Sequence, residues 1–270
     1  MESRGVYKKQ NNIITFKKRY VNMNALVNTC SHAEFSSVCS KLYGYNWEVL
    51  AQGLNRDGYV VLDGFFNLDQ CRETMGFYDN TEYFRSHIHM ARHGFGKGEY
   101  RYFRYPLPDL IDQHRQAIYP YLAKIANEWS SRLGVDVEYP LKHEEFLEKC
   151  RQGGQLRPTP LLLKYSPGDY NCLHQDLYGD LVFPIQIAVL LSSPDEDFTG
   201  GEFVITEQRP RMQSKVEVVH LKKGDAVAFA VHSRPISGTR GIYRVNLRHG
   251  VSRLRTGQRY TVGIIFHDAT

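Results

Sequence analysis

His174-Gln175-Asp176 sets an imidazole and a carboxylate two residues apart, and in an extended segment alternate side chains leave the backbone on one side, so both can face one ion. By itself such a step is weak, because histidine and aspartate meet in this pattern in many surface and core strands. Its weight comes from two residues much further along. In segment 243–249 the period of two puts Tyr243, Val245, Leu247 and His249 on one mostly apolar face, which turns His249 inward. In the next run the same alternation groups Arg259, Thr261, Gly263 and Ile265. A guanidinium directed into a β interior is costly unless an anion meets it. No acidic residue stands near Arg259 in the sequence, so a bound carboxylate, matched by the planar guanidinium fork, is expected there. His220, His232 and His267 compete for the third metal position, but none is followed by an inward basic residue as His249 is by Arg259. Two histidines and one carboxylate hold a divalent ion on one face and leave three positions open for exchangeable ligands.

The elements that must position these residues change character along the chain. After Arg157-Pro158 the sequence breaks into seven short β-rich runs, 161–165, 185–191, 202–205, 216–221, 226–231, 243–249 and 260–266, which indicates a sandwich or barrel of jelly-roll type. Residues 44–157 read as a helical N-terminal layer. A strand at 59–62 follows the Asp57-Gly58 turn, and a helix over 68–78 is capped near Asn67. A longer helix over 112–133 carries Ile118, Leu122, Ile125, Trp129 and Leu133 on one face, with Pro120 as a kink or a start. Residues 1–43 carry Lys8-Lys9 and Lys17-Lys18-Arg19 with little periodicity and read as a loosely ordered basic extension. The expected class is therefore α+β, divided as 1–43, 44–157 and a jelly-roll core over 158–270.

Hydrophobic residues at 42% of the chain supply a sizeable core and exclude a disordered or fibrous protein. No apolar run of eighteen residues and no signal-peptide pattern is present, so a soluble intracellular protein is expected, most simply cytoplasmic, with no membrane partner. Cys30, Cys39, Cys71, Cys150 and Cys172 show no CxxC pairing and are expected to be reduced. Between Glu207 and Arg259 twelve Lys/Arg face three acids, which suits a solvated basic face or an anionic partner.

The constellation Tyr165-x8-His174-x-Asp176, a distant His249, and Arg259 ten residues beyond it resembles the 2-oxoglutarate/Fe(II) dioxygenase superfamily over residues 158–270. The resemblance implies a double-stranded β-helix, with Fe(II) held by His174, Asp176 and His249. It also implies 2-oxoglutarate held by Arg259 with Thr261 beside it, and Tyr165 bonded to the distal carboxylate; a purely packing role for Tyr165 is the alternative. Dioxygen is the second co-substrate, and hydroxylation is coupled to release of succinate and CO2. Gly200-Gly201-Glu202-Phe203 and Gly224-Asp225-Ala226 fall where such proteins carry scaffold turns. Further motifs, among them Arg92-His93-Gly94-Phe95-Gly96, His174-Gln175-Asp176-Leu177-Tyr178-Gly179 and His249-Gly250-Val251-Ser252-Arg253, are similar to the Oxygenase-NA family, whose name records a proposed association with nucleic-acid modification.

The substrate is read from segment 85–105, which holds five Arg/Lys, three histidines and five aromatic rings, with Gly94, Gly96 and Gly98 expected to make it a mobile loop. Arg92, Tyr100 and Tyr102 are the candidate substrate residues, suited to phosphate contact and base stacking or, equally, to a lid over a small anion. His87-x-His89-x3-His93 hints at a second metal, against the simpler reading of solvated histidines. The leading expectation is hydroxylation of a nucleic-acid base or its N-alkyl group, the latter ending in demethylation. The alternative substrates are a protein side chain or a small anionic metabolite. A metal-free jelly-roll binding module is the non-enzymatic alternative, and it has no need of the complete His174, Asp176, His249 and Arg259 set. Nothing in the sequence sets an oligomeric state.

Overall fold

Short runs of β-branched and aromatic residues, separated by Gly, Pro and Asp turns, build two large antiparallel sheets and a small two-stranded one in the C-terminal half, and strands from the N-terminal half extend the large ones. The computed structural model describes residues 33–239 and 241–270. In chain order the strands are β1 (Tyr59–Leu62), β2 (Phe84–His89), β3 (Gly96–Lys97), β4 (Glu99–Phe103), β5 (Leu161–Tyr165), β6 (Tyr170–His174), β7 (Ile185–Leu190) and β8 (Phe198–Gly200). They continue with β9 (Phe203–Gln208), β10 (Lys215–Val219), β11 (Ala226–Ala230), β12 (Ser233–Gly238), β13 (Gly241–Val251), β14 (Leu254–Gly257) and β15 (Arg259–Ile264). The helices are α1 (Ala33–Tyr43), α2 (Trp47–Asp57), α3 (Leu68–Gly76), α4 (Asp109–Leu133) and α5 (His143–Gln152).

The first sheet runs β1-β11-β7-β15-β5-β4-β2, and the second runs β10-β9-β13-β6-β3 with β12 also on β13. From β5 onward the chain passes back and forth between them: β5, β7, β11 and β15 enter the first, while β6, β9, β10 and β13 enter the second. That alternation is a double-stranded β-helix, as expected. Val189, Val227, Phe229 and Val262 of one sheet and Ile205, Val245 and Leu247 of the other are buried.

The helical expectations hold in outline. Asn67 caps α3 reciprocally with Gln70, and the chain tightens into a 3-10 turn at Phe77–Asp79 where the helix was expected to continue. In α4 the residues Ile118, Leu122, Ile125 and Trp129 are buried, and the helix starts at Asp109 and passes through Pro120. No described helix is long and apolar enough to cross a membrane. Among the described residues Cys71, Cys150 and Cys172 are free thiols.

Three expectations need correction. The boundary at residue 158 is crossed by a continuous sheet, since β4 pairs with β5 and β1 with β11; these strands cover edges that the core would otherwise expose. Of the extension at 1–43, residues 1–32 lie outside the described residues, and the remainder is α1, whose Val38 and Leu42 are buried. Segment 85–105 is ordered structure, mostly β2, β3 and β4, in place of a loop. Gly96 and Gly98 serve close approach: Gly96 has φ +131°, and a Cβ there would lie 2.4 Å from the Tyr170 carbonyl oxygen.

Candidate metal and co-substrate site

Strand pairing brings the distant histidines together. On β6 and β13, His174 and His249 are direct cross-strand partners, and their ring centroids are 4.2 Å apart. Asp176 follows β6 and reaches between them, with Oδ1 3.5 Å from His174 Nε2 and Oδ2 3.4 Å from His249 Nε2. One ligand atom from each lies within 4.8 Å of the other two.

The surroundings orient these groups. His174 Nδ1 donates to the Cys172 carbonyl at 2.8 Å, which leaves Nε2 with its lone pair toward the cluster. Tyr178 donates its hydroxyl to Asp176 Oδ1 at 2.7 Å. Gln175, between His174 and Asp176, donates to the carbonyls of Leu247 and His232 at 2.7 and 3.1 Å and so pins the step to β13. Burial opposes the Asp176 anion, yet the two neighbouring imidazoles hold its carboxyl well below the usual range. Burial also opposes a charge on His174, but Asp176 raises it; burial and the neighbouring His174 lower His249. A buried carboxylate facing two imidazole nitrogens is a donor set that fits a divalent transition ion.

The opposite wall of the same cavity is cationic. Arg259 is 2% exposed, and burial lowers its guanidinium to about 10, still charged at neutral pH. Its Nη1 donates to Thr261 Oγ1 at 2.6 Å, Nε has no partner, and among the described residues no carboxylate is within ion-pair distance. Tyr165 is its cross-strand partner, fully buried, with a hydroxyl that also lacks a partner. Such orphaned buried groups are rare in folded proteins and point to a missing ligand. Tyr165, Arg259, Thr261, His174, Asp176 and His249 all line one cavity of about 310 Å³. That volume is of the size of small-ligand sites.

The substrate candidates separate. Tyr100 lines the cavity together with Gly94 and Phe95. Tyr102 is buried outside the lining, with the Arg85 guanidinium 4.5 Å from its ring and Tyr178 edge-on to it. Arg92 is exposed on a short 3-10 turn and is not on the cavity wall. Two cavity residues escaped sequence reasoning. Tyr178 sits on an irregular segment after β6, where no periodicity marks it; Gln186 is visible in retrospect as the polar residue of the otherwise apolar β7, with its Oε1 unpartnered. The basic stretch is also less positive at the surface than along the chain. Arg234 is buried against Glu207 and the carbonyls of Asn55 and Arg56, while Arg209, Lys215 and Lys223 pair with acids.

Two histidines and a carboxylate gathered on one face inside a double-stranded β-helix define the class of non-haem Fe(II) oxygenases. The chain belongs to the Oxygenase-NA family, whose model, described as "Oxygenase, catalysing oxidative methylation of damaged DNA", matches residues 98–269. The family makes it an oxidoreductase, and the metal-free binding module falls away. Two uncharacterized proteins of Mycobacterium tuberculosis, from strains CDC 1551 / Oshkosh and ATCC 25618 / H37Rv, are each 46% identical over 167 residues, 62% of this chain and 72% of theirs. Among solved structures, a Pseudomonas putida prolyl-4-hydroxylase aligns at a TM-score of 0.46 and 14% identity, over 83% of this chain and 99% of that one. A Trichoplax adhaerens prolyl hydroxylase in complex with a hypoxia inducible factor peptide aligns at 0.48 and 12%, over 89% and 94%.

Proposed function

We propose that the chain is an Fe(II)- and 2-oxoglutarate-dependent oxygenase acting on a modified nucleic-acid base, with His174, Asp176 and His249 holding iron and Arg259, Tyr165 and Thr261 holding the co-substrate. The observation that carries this reading is the buried Arg259, with its Nε unpartnered and no carboxylate beside it, next to the orphaned Tyr165 hydroxyl in the same cavity as the triad. A dicarboxylate answers both walls: one end meets the guanidinium and the phenol, and the 2-oxo acid end lies toward the metal ligands. Bound iron supplies dioxygen activation. The protein's own part is to neutralise the distal carboxylate in a bidentate fork, to fix the ligand imidazole through Cys172 and the ligand carboxylate through Tyr178, and to keep water from the apolar walls formed by Leu161, Leu163 and Phe229.

One oxygen atom enters a substrate C–H bond and the other enters succinate, with CO2 released. On an N-methyl group the resulting hydroxymethyl leaves as formaldehyde, so the net outcome is removal of methyl. Damaged DNA is named in the family description, and Phe95 and Tyr100 on the cavity lining supply ring faces for an extruded base. A small anionic metabolite or a protein side chain is the second reading, favoured by the position of Arg92 away from the cavity. Succinate and formaldehyde release should be measured with Fe(II), 2-oxoglutarate and N-methylated or unmodified oligonucleotides, beside peptides and amino acids. Lesion-dependent release of both products is expected. Stimulation by peptides or amino acids alone would refute the nucleic-acid substrate, and no coupled turnover with any of them would count against all three substrate classes.

A further inference from the structure

Away from the cavity, a second group of ligand-type side chains converges on the hairpin of β2 and β4. His87 and His89 alternate on β2 and leave it on the same side, while Glu99 of β4 is the direct cross-strand partner of His89. His87 Nε2 is 2.6 Å and His89 Nδ1 3.8 Å from the same Glu99 oxygen, and the two imidazole centroids are 4.4 Å apart. One ligand atom from each residue lies within 4.8 Å of the other two. All three reach solvent, with side-chain exposures of 35%, 45% and 27%, so an ion has access. The third histidine of the sequence pattern, His93, instead stacks on Phe95, and Glu99 takes its place.

We propose that His87, His89 and Glu99 form a binding site for one divalent transition ion of the zinc type, separate from the triad of the cavity. Two imidazole nitrogens and one carboxylate oxygen suit zinc, copper or nickel, whereas calcium and magnesium take oxygen ligands throughout. Three protein donors leave a coordination position to water, which makes the site exchangeable in place of closed and structural. Lys164, opposite Glu99 on β5, adds positive charge and moderates the affinity, but its ammonium is held over the Tyr78 and Tyr260 rings, 5.2 and 5.6 Å from their centroids. The position gives the ion a structural consequence. His89 and Glu99 stand at the neck of connection 90–98, whose Gly94 and Phe95 line the cavity. An ion shared by β2 and β4 therefore ties the base of the cavity rim.

The test is calorimetric titration with Zn2+ alone on protein carrying His174→Ala and Asp176→Ala, which removes the triad from the count. One equivalent of Zn2+ is expected to bind, and adding His89→Ala or Glu99→Gln should weaken binding by roughly tenfold or more. Should the triad variant fail to fold, the protein with its triad intact gives the same answer through stoichiometry, which should fall from two equivalents to one on Glu99→Gln. Zinc should also slow amide hydrogen exchange across β2, β4 and residues 90–98 only when His89 and Glu99 are present. No zinc uptake by the folded triad variant, or uptake unchanged by both substitutions, overturns the proposal.

Discussion

At the scale of single residues the proposed site divides its work between two walls, and each wall makes its own prediction. His174→Ala or Asp176→Ala should abolish iron binding and succinate release while the far-ultraviolet circular dichroism is retained, because the ligands contribute little apolar burial to the sheets; metal analysis of purified variants checks this, and an iron-loaded, active His174→Ala protein would refute the assignment. Arg259→Ala should leave iron binding in place and raise the 2-oxoglutarate requirement, since loss of a buried charge-assisted pair costs about 2–5 kcal/mol. Succinate release against 2-oxoglutarate concentration reads that shift, and an unchanged dependence would move the role elsewhere. Arg259 and the second histidine of the triad, His249, were legible from alternation: both stood on apolar faces where a charged or ligating group needs a reason. Tyr178 was not legible, because its bond to Asp176 depends on an irregular segment whose geometry no sequence period encodes.

At the scale of elements, the strands with a clean apolar period were read close to their observed limits, as with Leu161–Tyr165. β6 was missed as a strand although it carries His174, because all of its residues are at least partly exposed and no apolar face marks it. Segment 85–105 departs from expectation for the opposite reason: glycine, charge and aromatic content suggest a loop, whereas Gly96 and Gly98 make room for neighbouring strands. Gly98 shows this best. It has φ +129°, and a Cβ there would stand 3.0 Å from the Tyr165 ring. Gly98→Ala should therefore cost about 1–3 kcal/mol of stability through backbone strain. It should also weaken 2-oxoglutarate binding by displacing Tyr165, with iron content unchanged. Denaturant midpoints and 2-oxoglutarate titration of the variant check both effects, and wild-type behaviour in both would show that the contact is without consequence.

For the molecule as a whole, buried histidines make stability depend on pH. His114 sits against Phe65 and Phe66, and His267 accepts from the Phe183 backbone N–H; burial lowers both from the ordinary 6.5 to about 4. The folded state thus binds fewer protons than the unfolded chain, so the stabilisation is complete above pH 6.5 and is lost progressively as pH falls toward 4. Each shift corresponds to roughly 3 kcal/mol at its full extent. Denaturant midpoints should fall across that window, and midpoints that stay level there would contradict the argument. The two-layer plan was legible, but the dependence of the core sheet on N-terminal strands was not, because pairing between β4 and β5 or β1 and β11 joins segments far apart in sequence.

The place of β15 in the first sheet has a consequence for biosynthesis. The strand that carries Arg259 lies between β5 and β7, both of which leave the ribosome well before it. Until residues 259–264 emerge, the growing chain holds two unpaired strand edges in the middle of its principal sheet, with the co-substrate wall still unmade. A message cut short before Arg259 therefore yields an aggregation-prone protein with an open seam, and not a partly active enzyme.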